Sequence, residues 1–371
     1  MRIVVLKERA AGEHRVALVP ESVGKLVKAG VEVVVEHGAG QSAGFLDAQY
    51  AAAGAAQAIS ADEVLSGAHV VLKVQPPSAD EAGHLPSGAV LISLLPASTN
   101  GDLLSQLASR HVTALALERV PRITRAQSMD ILSSQATVAG YKAVLLGAST
   151  MPRLLPMMTT AAGSLTPGKA FILGAGVAGL QAIATAKRLG AVVSAFDVRP
   201  AVKEQVQSLG ASFVAAEALG AGAEGAGGYA RAQTEDEQAR TQAALANHIK
   251  DMDLVISTAA IPGRRAPVLI TEAMVASMKP GSVIVDLAAE TGGNCALTRA
   301  GETVVTANGV TILGPVNLPS TMPLHASQMF SRNVLTLLQH LISKEGQLVV
   351  SMDDEITGPM CLVHAGQVRS I

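Results

Sequence analysis

Aromatic residues are scarce in this 371-residue chain: there are five Phe and three Tyr, and Trp is absent. Hydrophobic residues nevertheless make up 49% of the sequence, which is enough for a sizeable core. That core must be packed from Ala, Val, Leu, Ile and Met, a composition typical of buried parallel sheets covered by Ala-rich helices. The length suits two domains or one large one.

Cysteine and net charge are also low. The two cysteines, Cys295 and Cys361, lie far apart without Cys-x-x-Cys spacing, and the nine His show no metal-ligand spacing. A disulfide framework and a metal site are both disfavoured, and a reducing cytosol is indicated. The formal net charge of -2 provides no long-range field for nucleic acid or anionic lipid, so we expect neither as a partner.

Long apolar runs are missing as well. Apolar stretches at 89–98 and 141–158 are interrupted by Pro, Lys, Arg or Gly before they reach the ~20 residues that a spanning helix needs. The first residues, MRIVVLKERAAGEHR, become charged after six positions, which is too short for the apolar region of a signal peptide. We therefore expect no membrane-spanning segment and no secretory leader.

Strand-like runs alternate with helix-length segments along most of the chain. One series passes through RIVVLKE, VEVVVE, HVVLKVQ, AVLISLL and VTALALE, and ends near residue 120. A second series begins at KAFILGAG and continues through AVVSAFDV, ASFVAAE, DLVISTAA, GSVIVDLA and GVTILG. This alternation predicts an α/β fold with doubly wound parallel sheets.

Three other segments complete the organisation. Residues 127–150 predict one long helix, and the Pro- and Gly-containing stretch 151–168 is interpreted as a connection. The tail predicts a helix over 326–346 and a hairpin over 347–363. The pattern alone leaves open which domain this tail completes.

The segment GAGVAG places Gly174, Gly176 and Gly179 in the spacing Gly-x-Gly-x-x-Gly. The strand-like run AFILG precedes it and the helix-like run LQAIATAKRLG follows it, which is the context that a dinucleotide-binding turn requires. The first glycine would permit the tight turn, the second would let the backbone touch a pyrophosphate, and the third would let helix and strand pack closely. The amino end of the helix would present N–H groups to the phosphates.

The next strand-like run ends at Asp197, eighteen residues after Gly179. An acid at this position accepts hydrogen bonds from the adenosine ribose hydroxyls and repels a 2′-phosphate, so it favours NAD over NADP. Arg199 complicates the prediction, because a nearby Arg can accommodate that phosphate. We give the acid the greater weight and expect NAD(H) as the cofactor.

Three further segments each have two interpretations. Residues 218–240, Gly-rich and then charged, form either a tolerated insertion or a mobile lid that closes Tyr229 on a ligand. Residues 257–263, STAAIPG, form either a Pro–Gly turn or a close approach of the backbone up to Ala260 to the nucleotide. The segment GAGQSAG at 38–44 departs from the glycine spacing above, and we interpret it as an ordinary loop.

A polar cluster precedes the predicted long helix, in RVPRITRAQSMDILSSQ at 119–135. On a helix, Gln127, Asp130 and Ser134 would fall on neighbouring turns. Three Arg at a helix entrance oppose the macrodipole unless an anion lies there. The cluster is therefore either a solvated helix start or a site for the nicotinamide end of the nucleotide.

The motif PRITRAQSMDILSSQ, together with AGYKAV, resembles the NAD(H)-binding component of proton-translocating NAD(P) transhydrogenases. The resemblance extends from KERAAGEHRVALVPE through the glycine motif and GGYA to MKPGSVIVDLA, which is nearly the whole chain. It implies a homodimer of two Rossmann-like domains joined by long helices. The N-terminal domain would comprise residues 1–126 completed by the tail 320–371, and the NAD(H)-binding domain residues 127–319 with the mobile loop 218–240.

The resemblance also implies roles for individual residues. Arg122, Gln127 and Asp130 would act at the nicotinamide half of the nucleotide, with Leu132 and Ser133 as further contacts. The other cofactor-binding residues that it implies are Gly174, Gly176, Val177, Gly179, Asp197, Val198, Arg199, Gly228, Tyr229 and Ala260.

The implied activity needs partners. Hydride would pass directly between NADH on this chain and NADP bound to a partner component, and membrane-embedded components would couple the transfer to proton translocation. The chain would then be cytoplasmic and attached to the inner (plasma) membrane through these subunits. It resembles an alpha subunit that ends before its membrane part.

Alanine dehydrogenase shares this architecture and is the nearest alternative. Arg15 in RVALVP and Lys73 in HVVLKVQPP resemble that enzyme's pyruvate-binding residues, whereas Pro96 stands in place of its catalytic His and Glu290 in place of its catalytic Asp. Because the Pro96 side chain cannot carry a proton, we expect oxo-acid reduction by that route to be disfavoured. A non-catalytic NAD-binding module is the other alternative.

Overall fold

The computed structural model describes residues 1–214, 234–260 and 265–369 of the chain. The chain divides into two compact units. The first unit consists of Met1–Gln135 with Pro319–Ile371, and the second of Ala136–Leu318. The boundaries that the sequence suggested lie at 126/127 and 319/320.

The strands of both units are short, with three to five residues in most of them. They are β1 (Arg2–Val5), β2 (Glu32–Glu36), β3 (Ala56–Ala58), β4 (Val70–Leu72), β5 (Val90–Ser93), β6 (Thr113–Ala116), β7 (Met158–Thr160), β8 (Gly163–Leu165), β9 (Lys169–Leu173), β10 (Val192–Phe196), β11 (Ser212–Phe213), β12 (Leu254–Ser257), β13 (Val283–Asp286), β14 (Thr303–Val305), β15 (Thr311–Leu313), β16 (Cys361–His364) and β17 (Gln367–Val368).

The α-helices lie mostly in the connections between these strands. They are α1 (Pro20–Lys28), α2 (Asp47–Ala52), α3 (Ala61–Leu65), α4 (Ala79–His84), α5 (Gly101–Ser109), α6 (Ile131–Thr150), α7 (Val177–Arg188), α8 (Lys203–Ser208), α9 (Glu235–Ile249), α10 (Glu272–Ser277), α11 (Pro323–Leu341) and α12 (Thr357–Met360).

The first unit contains an eight-stranded sheet in the order β17-β16-β6-β5-β4-β1-β2-β3. Strands β1 to β6 pair in parallel, and the tail adds β16 antiparallel to β6 and β17 antiparallel to β16. The chain moves outward from β1 to β3 and then returns to β4 beside β1. The strand order therefore reverses between β1 and β4, which defines the switch point of a doubly wound sheet.

The second unit contains a seven-stranded sheet in the order β11-β10-β9-β12-β13-β15-β14. Its strands are parallel except for β14, which pairs antiparallel to β15. The chain moves outward from β9 to β11 and returns to β12 beside β9, so the switch point lies between β9 and β12. Together the two sheets confirm the predicted fold class, α/β with two Rossmann-like doubly wound parallel sheets.

Aliphatic side chains fill both faces of these sheets. In β9 the side chains from Ala170 to Leu173 are all buried, and in β12 all of Leu254–Ser257 are buried. Phe171 and Phe196, two of the few aromatic residues, have exposures of 0% and 1%. Continuous burial on both faces explains why these strands are runs of apolar residues without a polar alternation.

The long helix begins later than the sequence predicted. Residues Thr124–Met129 form 3-10 turns, and α6 itself starts at Ile131 and runs to Thr150. The prediction of one helix over 127–150 was therefore wrong in its first turn. The connection predicted at 151–168 also contains the antiparallel pair β7 and β8.

The tail differs from the prediction in one element. Its long helix spans Pro323–Leu341, close to the predicted range. The predicted hairpin over 347–363 was wrong, because Thr357–Met360 is a helical turn inside that range. The hairpin instead joins Cys361–His364 to Gln367–Val368, where β16 also pairs with β6 at the edge of the first sheet.

Candidate functional site

The carboxyl ends of β9 and β12 meet at the switch point of the second unit. Thr258 follows β12, and its backbone N–H donates to the carbonyl oxygen of Leu173 at 2.8 Å. Its hydroxyl donates to the carbonyl oxygens of Leu173 and Gly174, at 3.3 and 3.1 Å. The turn after β9 is therefore tied to the turn after β12, at the position where open α/β sheets bind their ligands.

The three motif glycines occupy different environments in this turn. Gly174 has a φ of +94°, a left-handed conformation that favours glycine. A Cβ on Gly179 would lie 1.8 Å from the carbonyl oxygen of Gly174, so the helix can pack this closely on the turn only without a side chain. A Cβ on Gly176 would meet nothing within 4 Å. Gly176 thus leaves open space at the start of α7, whereas Gly179 allows α7 to pack closely on the turn.

The amino end of α7 fits a pyrophosphate. Gly176 is its N-cap and has no side chain that could occupy the N–H groups of the first turn. Val177, the first helical residue, is 41% exposed. Open space, first-turn N–H groups that have no partner within the helix, and the positive end of the helix dipole are the features that an anionic bridge between two nucleosides requires.

Asp197 follows β10 and is buried, with 6% of its side chain exposed. Its Oδ2 accepts a hydrogen bond from the backbone N–H of Ala175 at 2.7 Å, which ties the carboxylate to the glycine turn. The guanidinium of Arg199 donates to both carboxylate oxygens, through Nε at 2.9 Å and Nη2 at 2.8 Å. The Arg199 charge that the sequence left open is thus paired with Asp197, while Val198 between them is half-buried.

Two residues that the sequence analysis did not single out form hydrogen bonds with the segment Ser257–Ala260. Asn294, fully buried, donates to the carbonyl oxygen of Ala259 at 2.8 Å and accepts from its N–H at 3.1 Å. Asp286 accepts from the hydroxyl of Ser257 at 2.9 Å and from the N–H of Asn294 at 2.7 Å. Ala260 itself is exposed. Asp286 is the last residue of β13 and Asp197 directly follows β10, so a similar position at a strand end was the available signal for Asp286.

The polar cluster of the first unit does not have the helical spacing that was predicted. Gln127 lies in the 3-10 turns and is exposed, whereas Asp130 is the residue just before α6. The Asp130 carboxylate accepts from the N–H of Ser133 at 2.9 Å and from its hydroxyl at 2.6 Å. Asp130 and Ser133 are therefore in direct contact as a helix cap, and Leu132 between them is half-buried.

Two of the three arginines in this cluster contact the C-terminal tail. Arg125 pairs with Asp354 at 3.2 Å and with Glu355 at 2.7 Å, both in the tail. Arg119 donates through Nε to the carbonyl oxygen of Pro359 at 2.8 Å. These two arginines are thus explained by the packing of the tail, and Arg122 is exposed.

The switch point of the first unit is filled by charged side chains. Glu8 follows β1 and accepts from the N–H of Val74, after β4, at 2.6 Å. Lys73 is 1% exposed, and its Nζ lies 3.0 Å from Glu81 and 3.7 Å from Glu8. Burial raises the pKa of Glu8 to about 7, although the charge of Lys73 opposes this shift.

Arg15 belongs to the same network. Its guanidinium donates to both carboxylate oxygens of Glu13, at 2.8 and 2.7 Å, and to the amide oxygen of Gln135 at 2.8 Å. Gln75 joins the two halves of the network, because its side chain donates to Glu13 and its backbone N–H to Glu8. Burial raises the pKa of Glu13, but the hydrogen bonds and charge of Arg15 outweigh it and lower the pKa to about 2.

Acidic groups outnumber basic ones in this network. Its ion pairs join Arg9, Arg15 and Lys73 to Glu8, Glu13, Glu36 and Glu81. The two residues that resemble a pyruvate site are therefore engaged by carboxylates of this chain. Pro96 is exposed at the start of a 3-10 turn, and the Glu290 carboxylate accepts from the N–H of Asn317.

Two site residues from the sequence analysis, Gly228 and Tyr229, lie outside the described residues, as does most of the loop 218–240. Over the described ranges, His, Cys, Asp and Glu side chains do not come together in a group of three that could hold a metal ion. A search of the same ranges for a helix long and apolar enough to cross a membrane finds none.

The fold and the glycine turn define the class: a two-unit Rossmann-like protein with the features of a dinucleotide-binding site. Family models described as "Alanine dehydrogenase/PNT, N-terminal domain" and "Alanine dehydrogenase/PNT, C-terminal domain" match residues 4–139 and 143–370. The chain belongs to the alanine dehydrogenase/PNT family, whose members bind NAD(H).

Transhydrogenase subunits and alanine dehydrogenases both include relatives that align with nearly the whole chain. An NAD(P) transhydrogenase alpha-subunit chain from Rhodospirillum rubrum is 49% identical over 99% of this chain and 97% of its own length. A solved structure described as transhydrogenase from Sinorhizobium meliloti matches with a TM-score of 0.90 and 45% identity, covering 100% of both chains. Alanine dehydrogenase from Halomonas elongata is 30% identical over 99% of this chain and 94% of its own.

The contrast between Gly176 and Gly179 gives the first prediction. Gly176→Ala should change the free energy of unfolding by less than about 1 kcal/mol, yet weaken NADH binding, because its Cβ would occupy the space that a pyrophosphate needs. Gly179→Ala should destabilise the chain by about 1–3 kcal/mol, because its Cβ would overlap the Gly174 carbonyl. Urea denaturation and NADH titration measure the two effects. Unchanged NADH affinity in Gly176→Ala would contradict the assignment.

The raised pKa of Glu8 gives a pH-dependent prediction. Between its ordinary value of 4.5 and about 7, folded Glu8 keeps a proton that the unfolded chain releases. The free energy of unfolding should therefore fall as pH rises through this window, by up to about 3 kcal/mol, and level off above it. Glu13 should not add to this pH dependence above pH 5, because its pKa is lowered to about 2 and its stabilising contribution is constant above the unfolded value of 4.5.

Chemical denaturation between pH 5 and 8.5 measures this slope. Glu8→Gln should reduce the slope, because the variant has no titrating group at that position. Glu63→Gln is the matched control, since Glu63 is exposed in the same unit and should leave the slope intact. An equal slope in Glu8→Gln and in the unmodified chain would show that another group titrates there.

Proposed function

We propose that this chain binds NAD(H) and passes hydride directly between NADH and NADP bound to a partner component of a proton-translocating transhydrogenase. The observation that carries the proposal is the pairing of Arg15 and Lys73. Both are engaged by carboxylates of this chain, in a protein that keeps an intact glycine turn. The 49% identity to a transhydrogenase subunit supports the same interpretation.

The proposed reaction makes few chemical demands on the protein. The reduced nicotinamide ring supplies the hydride, and transfer to a second nicotinamide moves no substrate proton. The chain therefore needs no general acid or base, and Pro96 at a position that resembles a catalytic His is no obstacle. Its residues have to bind the nucleotide, orient it and exclude water, because rate then depends on the distance and alignment of the reacting carbons.

In the second unit we assign the adenosine and pyrophosphate half of the nucleotide to the glycine turn and the end of β10. The open space at Gly176 and the exposed start of α7 support a pyrophosphate there. The buried carboxylate near the turn supports a ribose contact. The residues of this assignment are Gly174, Gly176, Val177, Gly179, Asp197, Val198 and Arg199, with Ala260 on the loop after β12.

We assign the nicotinamide half to the segment before α6, as the resemblance implies. Gln127 is exposed and presents an amide, which matches the hydrogen-bonding pattern of a carboxamide. Asp130 holds Ser133 through two hydrogen bonds and so orders the start of the helix. Arg122 and Leu132 complete the assignment, and Gly228 and Tyr229 are proposed for a closing loop.

Alanine dehydrogenase is the second candidate, because a relative of that name is 30% identical over 99% of this chain. An oxo acid brings a carboxylate that needs unbalanced positive charge. The network around Arg15 and Lys73 joins three cations to four carboxyl groups. Even when Glu8 keeps its proton, the other three carboxylates balance the cations, so the network offers no unbalanced positive charge. A non-catalytic NAD-binding module is the third candidate, distinguished only by the absence of turnover with any partner.

The proposal includes an assembly. The chain would act as a homodimer with NADP-binding and membrane-embedded subunits, and through these it would attach to the cytoplasmic face of the inner (plasma) membrane. The name of the Rhodospirillum rubrum relative, which is a transhydrogenase subunit, supports partners of this kind. The exposed apolar side chains of Met157, Met158 and Leu165, at and next to the antiparallel pair β7 and β8, support a second protein surface in this region.

One paired assay tests the proposed function. The purified chain is mixed with NADH, NADP and a purified NADP-binding transhydrogenase component, and NADPH formation is followed with NADH deuterated at C4. Deuterium recovered in NADPH only in the mixture is the expected result. Pyruvate- and ammonium-dependent oxidation of NADH by the chain alone would support alanine dehydrogenase instead, and NADH binding without either reaction would support a non-catalytic module.

Gln127 gives a prediction about positioning. Gln127→Ala should slow hydride transfer by about tenfold or more while changing the Kd for NADH by less than about threefold, because the amide orients the ring more than it anchors the nucleotide. Single-turnover rates and NADH titration separate the two quantities. Ser128→Ala, an exposed neighbour in the same 3-10 turns, is the control and should change neither. Equal losses in rate and affinity would exclude the positioning role.

A further inference from the structure

The Asp197 carboxylate has used its full capacity to accept hydrogen bonds. Oδ1 accepts from the backbone N–H of Arg199 and from its Nε, both at 2.9 Å. Oδ2 accepts from the N–H of Ala175 at 2.7 Å and from Arg199 Nη2 at 2.8 Å. A carboxylate offers about four lone-pair positions, so these four donors fill them.

Arg199 is paired with Asp197 through its guanidinium. Its guanidinium forms a two-point contact with the carboxylate, which is the strongest geometry for this pair, and only 16% of the side chain is exposed. A ribose hydroxyl that donates to Asp197 must replace at least one of the Arg199 donors. An anion at the same place would instead need the guanidinium itself, which is neutralised.

We propose that Arg199 is a masked receptor for a nucleotide 2′-phosphate, and that Asp197 selects an unphosphorylated ribose by neutralising Arg199 as well as by repelling the phosphate. The inference rests on the proposed NAD(H) site, since it names the specificity of that site. Repulsion alone would need only the acid. The two-point contact adds a second barrier, because the cation that a 2′-phosphate requires is withheld from it.

The location of the pair makes this effect specific to the ribose end. Asp197 is tied by Ala175 to the turn between Gly174 and Gly176, so the pair is fixed relative to the start of α7. An arginine close after the strand end is the position from which such side chains accommodate a 2′-phosphate. Its planar guanidinium matches phosphate geometry as well as it matches the carboxylate.

Replacement of the acid should unmask the receptor. Asp197→Asn keeps an oxygen that can accept from the N–H of Ala175 but removes the negative charge that pairs with Arg199. We expect the ratio of the Kd for NADPH to the Kd for NADH to fall by about tenfold or more, measured by isothermal titration calorimetry. NADPH binding to this variant should also weaken more steeply with added salt than NADH binding, since a phosphate–guanidinium contact is formed.

The double variant Asp197→Asn/Arg199→Gln tests the arginine itself and should lose that gain. If it binds NADPH as well as Asp197→Asn does, the gain comes from lost repulsion alone and the proposal is wrong. Arg188→Gln is the control for removing a positive charge, because it is exposed at the far end of α7, about 16 Å from the amino end at 1.5 Å per residue. Combined with Asp197→Asn, it should leave the gain intact.

The single variant Arg199→Gln is independent of the stability of Asp197→Asn. It leaves the acid unneutralised, so the Kd for NADPH should rise relative to that for NADH. A relative gain in NADPH binding would overturn the proposal, because Arg199 would then be acting as an obstacle and not as a receptor. If the unmodified chain binds neither nucleotide, the proposed function fails first, and that titration identifies the failure separately.

Discussion

The close approach of α7 to the turn after β9 is the constraint on which the second unit depends. The α-carbon of Gly179 packs so near the Gly174 carbonyl that a methyl group there would overlap the oxygen. This contact sets the start of the helix directly over the strand end, which leaves the space at Gly176 open. The anchoring of Asp197 to the turn through Ala175 then follows from the same geometry.

The two units share a topology but differ in what their switch points contain. In both, the first and fourth parallel strands lie side by side where the strand order reverses. The second unit places a glycine turn there, and the first places Glu8, Lys73 and their partners. A doubly wound sheet brings strand ends together, but the side chains at those ends decide whether the space receives a ligand or is filled from within.

Ion pairs within the chain occur at or next to the switch points of both units. Arg15, Lys73 and Arg199 are the cations that a small anion or a phosphate would use, and each contacts a carboxylate of its own unit. Buried ion pairs contribute little net stability, because desolvation offsets much of their attraction. In the proposed function their consequence is chemical selectivity, in a family whose members include both alanine dehydrogenases and transhydrogenase subunits.

The sequence by itself determined the α/β class, the strand–helix alternation and the glycine turn with Asp197, because each depends on residues close together in the chain. Only the tertiary structure decided which groups distant in the chain meet: Arg125 meets Asp354, 229 residues away, and Glu8 meets Val74, 66 residues away. It also decided that Asp130 caps α6 and that Asn294 holds the loop at Ala259. Periodicity encodes which face of an element is buried, whereas pairing between distant side chains depends on how the elements pack.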